Sequence, residues 1–267
     1  MNNLGFPFDK EDTYSHGKRL HFIKKAIEDY CQKFQKKVSE ISILDVGCGT
    51  GIGITFPIAS LGYKILGIDI DLTSIEEANK INIYPNASFF NEFIEEKADL
   101  KDKDIDIIIC SEVLEHVPNP FNFLLSLKRC LKKEGIIILT TPNGYGWFEF
   151  EKFVYEKLGL KFLFKSLDRI IHVNKLINSK KSLPMTTLNK EDKHLQRFTY
   201  KRLRLLFDKA NLDTVGESRA GVFGGQISEI LFGWCKPLLK FNNWLGNKAP
   251  SSFVIDWYFV LEKSSNN

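Results

Sequence analysis

Glu112, Glu115 and His116 fall at positions i, i+3 and i+4 in the run from Asp106 to Val117. On one helical turn these side chains share a face. An imidazole titrates near neutrality, so His116 fits a general base that takes a proton from a hydroxyl. Two carboxylates and an imidazole also suit a divalent cation such as Mg²⁺ or Mn²⁺, which would acidify a coordinated hydroxyl. A polar helix start with no chemistry has the same spelling. The residues themselves leave all three readings open.

A second constellation lies upstream. Gly47, Gly49 and Gly51 alternate with Cys48 and Thr50 directly after an apolar strand that ends in Asp45 and Val46. Glycines at this spacing let the backbone turn tightly and come close to a ligand. Ile52 stands where a dinucleotide fingerprint needs its third glycine, and no Gly-Lys-Ser/Thr follows, so a P-loop is excluded. Asp69 comes 22 residues after Gly47, at the end of the next strand. An acid there can accept hydrogen bonds from both hydroxyls of a ribose. His194, ahead of a late helix, is a second candidate base.

These residues need a scaffold, and the periodicities supply one. Apolar spacing predicts a helix over 17–37, then strands over 41–46, 63–70, 87–90 and 105–110, with a helix over 74–80. Asn119 and Pro120 open a helix that Lys132, Lys133 and Gly135 would close, and a strand follows over 136–140. Residues 144–193 break the rhythm with aromatics, lysines and helical spacing. A helix over 198–210, a strand from 214 and an aromatic strand over 253–261 complete the pattern. Alternating strands and helices predict an α/β fold with a mainly parallel sheet, in which ligands bind at the carboxyl ends of the strands. Residues 1–267 are read as a single domain and 144–193 as a helical insert on its acceptor side. The basic amphipathic part of that insert, 161–181, suits a lid over a pocket, with a contact to a membrane surface as the alternative. A second apolar-aromatic stretch, 230–245, is expected to pack in the core, while an exposed face there would favour a lipidic substrate or a membrane contact.

Composition narrows the function classes. The chain has 267 residues and a net charge of +4, and its basic residues are 30 Lys against 7 Arg. That balance argues against nucleic acid as a partner. Five scattered cysteines without a CxxC argue against a disulfide scaffold and a thiolate zinc site, and fit a reducing cytosol. No basic-then-apolar start marks a signal peptide, so a cytoplasmic protein is expected, with a peripheral membrane contact as the alternative. The chain has 22 Phe, and although Phe89, Phe90, Phe121 and Phe123 come early, all four Trp (Trp147, Trp234, Trp244, Trp257) and Phe148, Phe150, Phe153, Phe162 and Phe164 fall in its later half, which predicts an apolar or aromatic pocket for a small-molecule acceptor.

The run Asp45-Val46-Gly47-Cys48-Gly49-Thr50-Gly51, followed by Asp69, resembles the class I S-adenosylmethionine (SAM)-dependent methyltransferases over about 41–143 and again over 194–212. The resemblance implies a Rossmann-like, seven-stranded, mainly parallel sheet whose last strand is antiparallel, with the insert after strand five. It implies SAM as cofactor. Asp45, Gly47, Cys48, Gly49 and Gly51 would border its amino-acid part, Asp69 its ribose, Glu92 and Phe93 its adenine, and Cys110 and Ser111 its methionine end. The Glu112, Glu115, His116 spelling is similar to that of ubiquinone-biosynthesis O-methyltransferases, in which these positions bind a metal. The implied activity is methyl transfer to a hydroxyl of a small apolar, aromatic, or glycan- or lipid-linked acceptor. A metal-assisted RNA 2′-O-methyltransferase and a SAM-binding protein without catalysis are the alternatives.

Overall fold

The computed structural model describes residues 6, 8, 11–95, 105–157 and 195–265. The apolar runs become the strands β1 (Ser42–Val46), β2 (Lys64–Asp69), β3 (Ala87–Asn91), β4 (Ile105–Ser111), β5 (Leu131–Pro142), β6 (Leu212–Arg219) and β7 (Asp256–Lys263). They form a seven-stranded sheet of order β3-β2-β1-β4-β5-β7-β6. β1 to β5 pair in parallel, and β7 runs antiparallel to both β5 and β6. This is the Rossmann-like sheet expected, with its last strand reversed.

Helices cover both faces, which is why β4 is apolar at nearly every position. Ile107 and Ile109 pack toward α1 (His16–Lys33), α2 (Thr55–Ser60) and α3 (Leu72–Ile81). Ile108 and Cys110 pack on the opposite face toward α4 (Pro120–Cys130) and α6 (Tyr200–Lys209). Asn119 caps α4 by accepting from the Asn122 amide, with Pro120 in the first turn. Helix α5 (Trp147–Lys157) follows β5, while α7 (Gln226–Phe232) and α8 (Lys236–Lys248) lie between β6 and β7.

Three expectations need correction. Gly135 does not stop α4, because β5 begins at Leu131, which pairs with Ile105 before the register shifts to Ile107 and Ile136. Gly135 lies inside that irregular stretch, where a Cβ would meet the Leu131 side chain at 2.7 Å and the Asp106 carbonyl at 2.9 Å. The stretch 230–245 is not simply core: Leu231, Trp234, Leu238, Phe241 and Trp244 are exposed. Trp257 belongs to the core instead of a pocket, fully buried on β7. The expected 144–193 insert starts as α5, and its remainder from 158, together with His194, lies outside the described residues.

One buried charge ties the layers together beneath the sheet's amino-terminal edge. Asp106 on β4 accepts from the Ser42 amide (2.9 Å) and hydroxyl (2.8 Å), the Tyr30 hydroxyl (3.2 Å), Lys132 Nζ (3.0 Å) and Lys36 Nζ. Burial would raise its pKa, but the lysine and Ser42 donors outweigh it and hold the carboxyl below the usual carboxylate range. Asp106→Ala should cost about 2 kcal/mol in urea unfolding at neutral pH, where these charge-assisted bonds are intact. A lowered folded pKa contributes stability above the unfolded pKa and loses it as pH falls. The gap between wild type and variant should therefore close below about pH 4.

Candidate active site

The turn after β1 is built on left-handed glycines: Gly47 has φ 73°, Gly49 54° and Gly51 77°. The Gly47 and Cys48 amides both donate to the Ile68 carbonyl at 2.8 and 3.1 Å, which ties the turn to the end of β2. Asp69, the last residue of β2, accepts from the Gly49 amide at 2.7 Å on one oxygen and from the Asp71 amide at 2.8 Å on the other. A carboxylate offers about four acceptor sites. Both oxygens of Asp69 thus sit at the carboxyl end of β2 on the cavity wall, where a carboxylate can accept from the hydroxyls of a ribose.

A cavity of about 550 Å³ opens at the carboxyl ends of β1, β2, β3 and β4. Asp45, Gly47, Cys48, Gly49, Asp69, Glu92, Phe93, Ser111, Glu112, Glu115 and His116 all border it. Two predicted residues do not. Cys110 points into the core between the sheet and α4, and Gly51 packs on Phe89, whose ring a Cβ would meet at 2.7 Å. Gly51 therefore shapes the turn, and Cys110 supports β4.

The cavity wall has features that suit SAM. Asp45 is buried and accepts from the Thr55 hydroxyl at 2.6 Å. Burial chiefly, with the Asp69 charge also raising it, pushes its carboxyl up to about 7 against the pull of Thr55. A cationic ligand beside Asp45 would relieve that penalty. Ile70 stands on the cavity wall with 68% of its surface exposed, an apolar platform of the kind a flat heterocycle covers. Pattern reading could not single out Ile70, because an isoleucine after a strand carries no motif.

The expected shared helical face of Glu112, Glu115 and His116 does not form. Glu112 has φ 58°, and only Leu114–His116 make a single 3-10 turn. The Glu112 carboxylate turns to Arg19 on α1 (3.0 Å) and to the Thr140 hydroxyl (2.8 Å). Glu115 is buried and accepts from the Thr141 hydroxyl at 3.1 Å. Burial first, then the Glu112 charge, raises its carboxyl well above the ordinary value, so the neutral acid is favoured. A divalent cation needs charged oxygens turned toward one point. In this arrangement the Glu112 carboxylate is engaged by Arg19 and Thr140, and that of Glu115 by Thr141. Among the described residues, no group of three or more His, Cys, Asp or Glu side chains converges as such a ligand set.

His116 remains on the cavity wall, its Nε2 3.7 Å from Glu115 Oε1. His16 and Arg19 also line the cavity, and Arg19 Nη2 lies 3.3 Å from His16 Nδ1. Neither residue has a spacing signal, since both come from a helix whose readable face is its buried apolar side. Asp256 on β7, equally invisible to pattern, completes the charges beneath: burial and then Glu112 raise its carboxyl, while Arg19 pulls it down.

Comparison with known proteins gives these features a family. A family model described as a methyltransferase domain matches residues 19–217, and the chain belongs to that family. A ubiquinone biosynthesis O-methyltransferase of Rickettsia akari is 36% identical over 127 residues, 47% of this chain and 48% of that protein. A protein of the same name from Actinobacillus pleuropneumoniae is 27% identical over 161 residues, 58% of this chain and 67% of that one. The chain thus spans about half the length of the first of these relatives and two thirds of the second. Among solved structures, a SAM-dependent methyltransferase from Methanosarcina mazei matches with TM-score 0.54 at 19% identity, covering 90% of this chain and 97% of that one. PKMT2 from Rickettsia typhi, in complex with AdoHcy, matches with TM-score 0.52 at 18% identity, covering 86% and 50%. The fold is that of the SAM-dependent methyltransferases.

Glu115→Gln tests the electrostatics of this site. An acid with a raised folded pKa has its stability contribution in full below the unfolded pKa and loses it as pH rises. Glutamine imitates the neutral acid at every pH. The variant should match wild type in urea unfolding near about pH 4 and exceed it by about 1 kcal/mol or more near about pH 8. A difference that does not change with pH would contradict the assignment.

Proposed function

We propose that the protein binds SAM in this cavity and transfers its methyl group to a hydroxyl oxygen of a small apolar or aromatic acceptor, including a glycan- or lipid-linked one. One observation carries the reading: a single cavity joins the glycine turn and Asp69 at one end to Glu112, Glu115 and His116 at the other. The resemblance to O-methyltransferases and the apolar wall formed by Ile54, Phe93, Val113 and Phe123 support it.

When bound, SAM supplies an electrophilic sulfonium methyl and leaves as the neutral thioether. The protein's share is positioning and proton transfer. Gly47, left-handed and packed against Val113, shapes the turn that borders the ligand, and Asp69 accepts from the ribose hydroxyls. Asp45 offers a carboxylate to the cationic amino-acid end, while Glu92 and Phe93 flank the purine. His116 takes the proton of the acceptor hydroxyl as its oxygen attacks the methyl carbon in line with the breaking C–S bond. No step passes through a metal.

Two variants separate binding from chemistry. Asp69→Ala should weaken SAM binding about 100-fold in calorimetry, since two charge-assisted hydrogen bonds are lost. His116→Ala should leave SAM affinity within about twofold and lower methyl transfer by about 10²–10⁴-fold. Transfer of labelled methyl from SAM into small-molecule, lipid and RNA extracts identifies the acceptor class. Label in a hydroxyl of a small molecule or lipid is the expected result; label in RNA alone, or none, would overturn the reading.

A further inference from the structure

Helix α8 is amphipathic in an inverted sense. Its inward side carries Leu239, Asn242, Asn243 and Gly246. Asn242 Oδ1 accepts from the Val222 and Phe223 amides at 3.0 and 2.9 Å, and its Nδ2 donates to the Phe223 carbonyl at 2.7 Å. Asn243 Oδ1 accepts from the Ser15 hydroxyl at 3.2 Å. At Gly246 a Cβ would fall 1.9 Å from the Ala220 carbonyl oxygen. Side-chain amides and one close backbone approach therefore fix the helix's rotation, and it cannot turn to bury its other face.

That other face is apolar and open. Leu238, Phe241 and Trp244 point outward, Phe241 and Trp244 each 55% exposed, with their rings stacked at 5.6 Å. Trp234, just before the helix, is 63% exposed. The charge pattern is one-sided: from Ile230 to Ile255 the chain carries Lys236, Lys240 and Lys248 and no Asp or Glu. All three lysines are exposed on α8 itself. The helix lies beyond the part of the chain that the family model matches.

We propose that this face docks on an anionic phospholipid bilayer surface. Tryptophan and phenylalanine rings settle at the boundary between headgroups and acyl chains, while lysine ammonium groups reach lipid phosphates. A helix of 13 residues, about 20 Å long, lies on such a surface and does not span it. None of the described helices is long and apolar enough to cross a membrane. A second copy of the chain is a poorer occupant, because two identical helices would set three lysines against three, and 230–255 carries no acid of its own to offset them. The proposal goes beyond the methyl-transfer reading, and its test needs no turnover.

The test is flotation of the full chain with vesicles of phosphatidylcholine alone or mixed with phosphatidylglycerol. The protein should float with the mixed vesicles, release with added salt, and float poorly with phosphatidylcholine alone. Phe241→Ser with Trp244→Ser should weaken binding about tenfold or more. Lys236→Gln, Lys240→Gln and Lys248→Gln together should weaken it about fivefold per lysine. Far-UV circular dichroism and SAM affinity should stay unchanged in both, separating this claim from the one about the cavity; should the aromatic variant misfold, the lysine variant carries the test. Absence of flotation with mixed vesicles, or flotation that neither variant reduces, overturns the proposal. So does a dimer in ultracentrifugation that the aromatic variant dissolves, which would make a second copy the occupant.

Discussion

The backbone turn after β1 is the constraint on which the rest depends. With Gly47 at φ 73°, the amides of Gly47 and Cys48 converge on the Ile68 carbonyl, and the Gly49 amide reaches Asp69. Three bonds thus tie the ends of β1 and β2 at the ligand-binding edge. A Cβ on Gly47 would sit 2.4 Å from Val113 Cγ2, directly after Glu112. The same missing side chain therefore sets the spacing between the glycine turn and the segment that carries Glu112, Glu115 and His116. The two ends of the cavity are linked by one steric condition.

Among the described residues, burial and the Arg19–Glu112 pair set the electrostatics at the His116 end of the cavity. Arg19 is the cation that faces Glu112 and Asp256, and Glu115 lies close enough to Glu112 to feel its charge. Burial first, and then the Glu112 charge, pushes the Glu115 and Asp256 carboxyls toward their neutral forms, while Arg19 pulls Asp256 the other way. Arg19 itself gains from Glu112 and stays charged, its pKa raised despite burial. The outcome is a site with one firm ion pair, two acids whose pKa values burial raises and an imidazole at the wall.

Much of this was legible in the sequence because it is local. The glycine turn, Asp69 at the end of β2, and the apolar run of β4 are each set by a few consecutive residues, and β1 to β4 fall within one or two positions of the reading. What failed was non-local. The spacing of Glu112, Glu115 and His116 is helical, but Arg19 and Thr140, distant in the chain, hold Glu112 in a left-handed conformation. Lys132, Lys133 and Gly135 look like a helix ending, yet Leu131 already pairs with Ile105. The aromatic stretch near 240 looks like core because composition cannot say which side of a helix faces inward; Asn242 and Asn243 decide that through bonds to residues 20 and 228 positions away. Trp257 was read with the pocket because its distance from the glycine turn in sequence hides that β7 sits in the middle of the sheet.

A crystal structure of the protein with S-adenosylhomocysteine tests the central claim most directly. The account predicts that the ligand lies in the cavity with both ribose hydroxyls within hydrogen-bond reach of the Asp69 carboxylate, its amino-acid part against Asp45 and the glycine turn, and its sulfur facing the side that carries His116. A ligand bound elsewhere, or one in the cavity with its ribose away from Asp69, would contradict it.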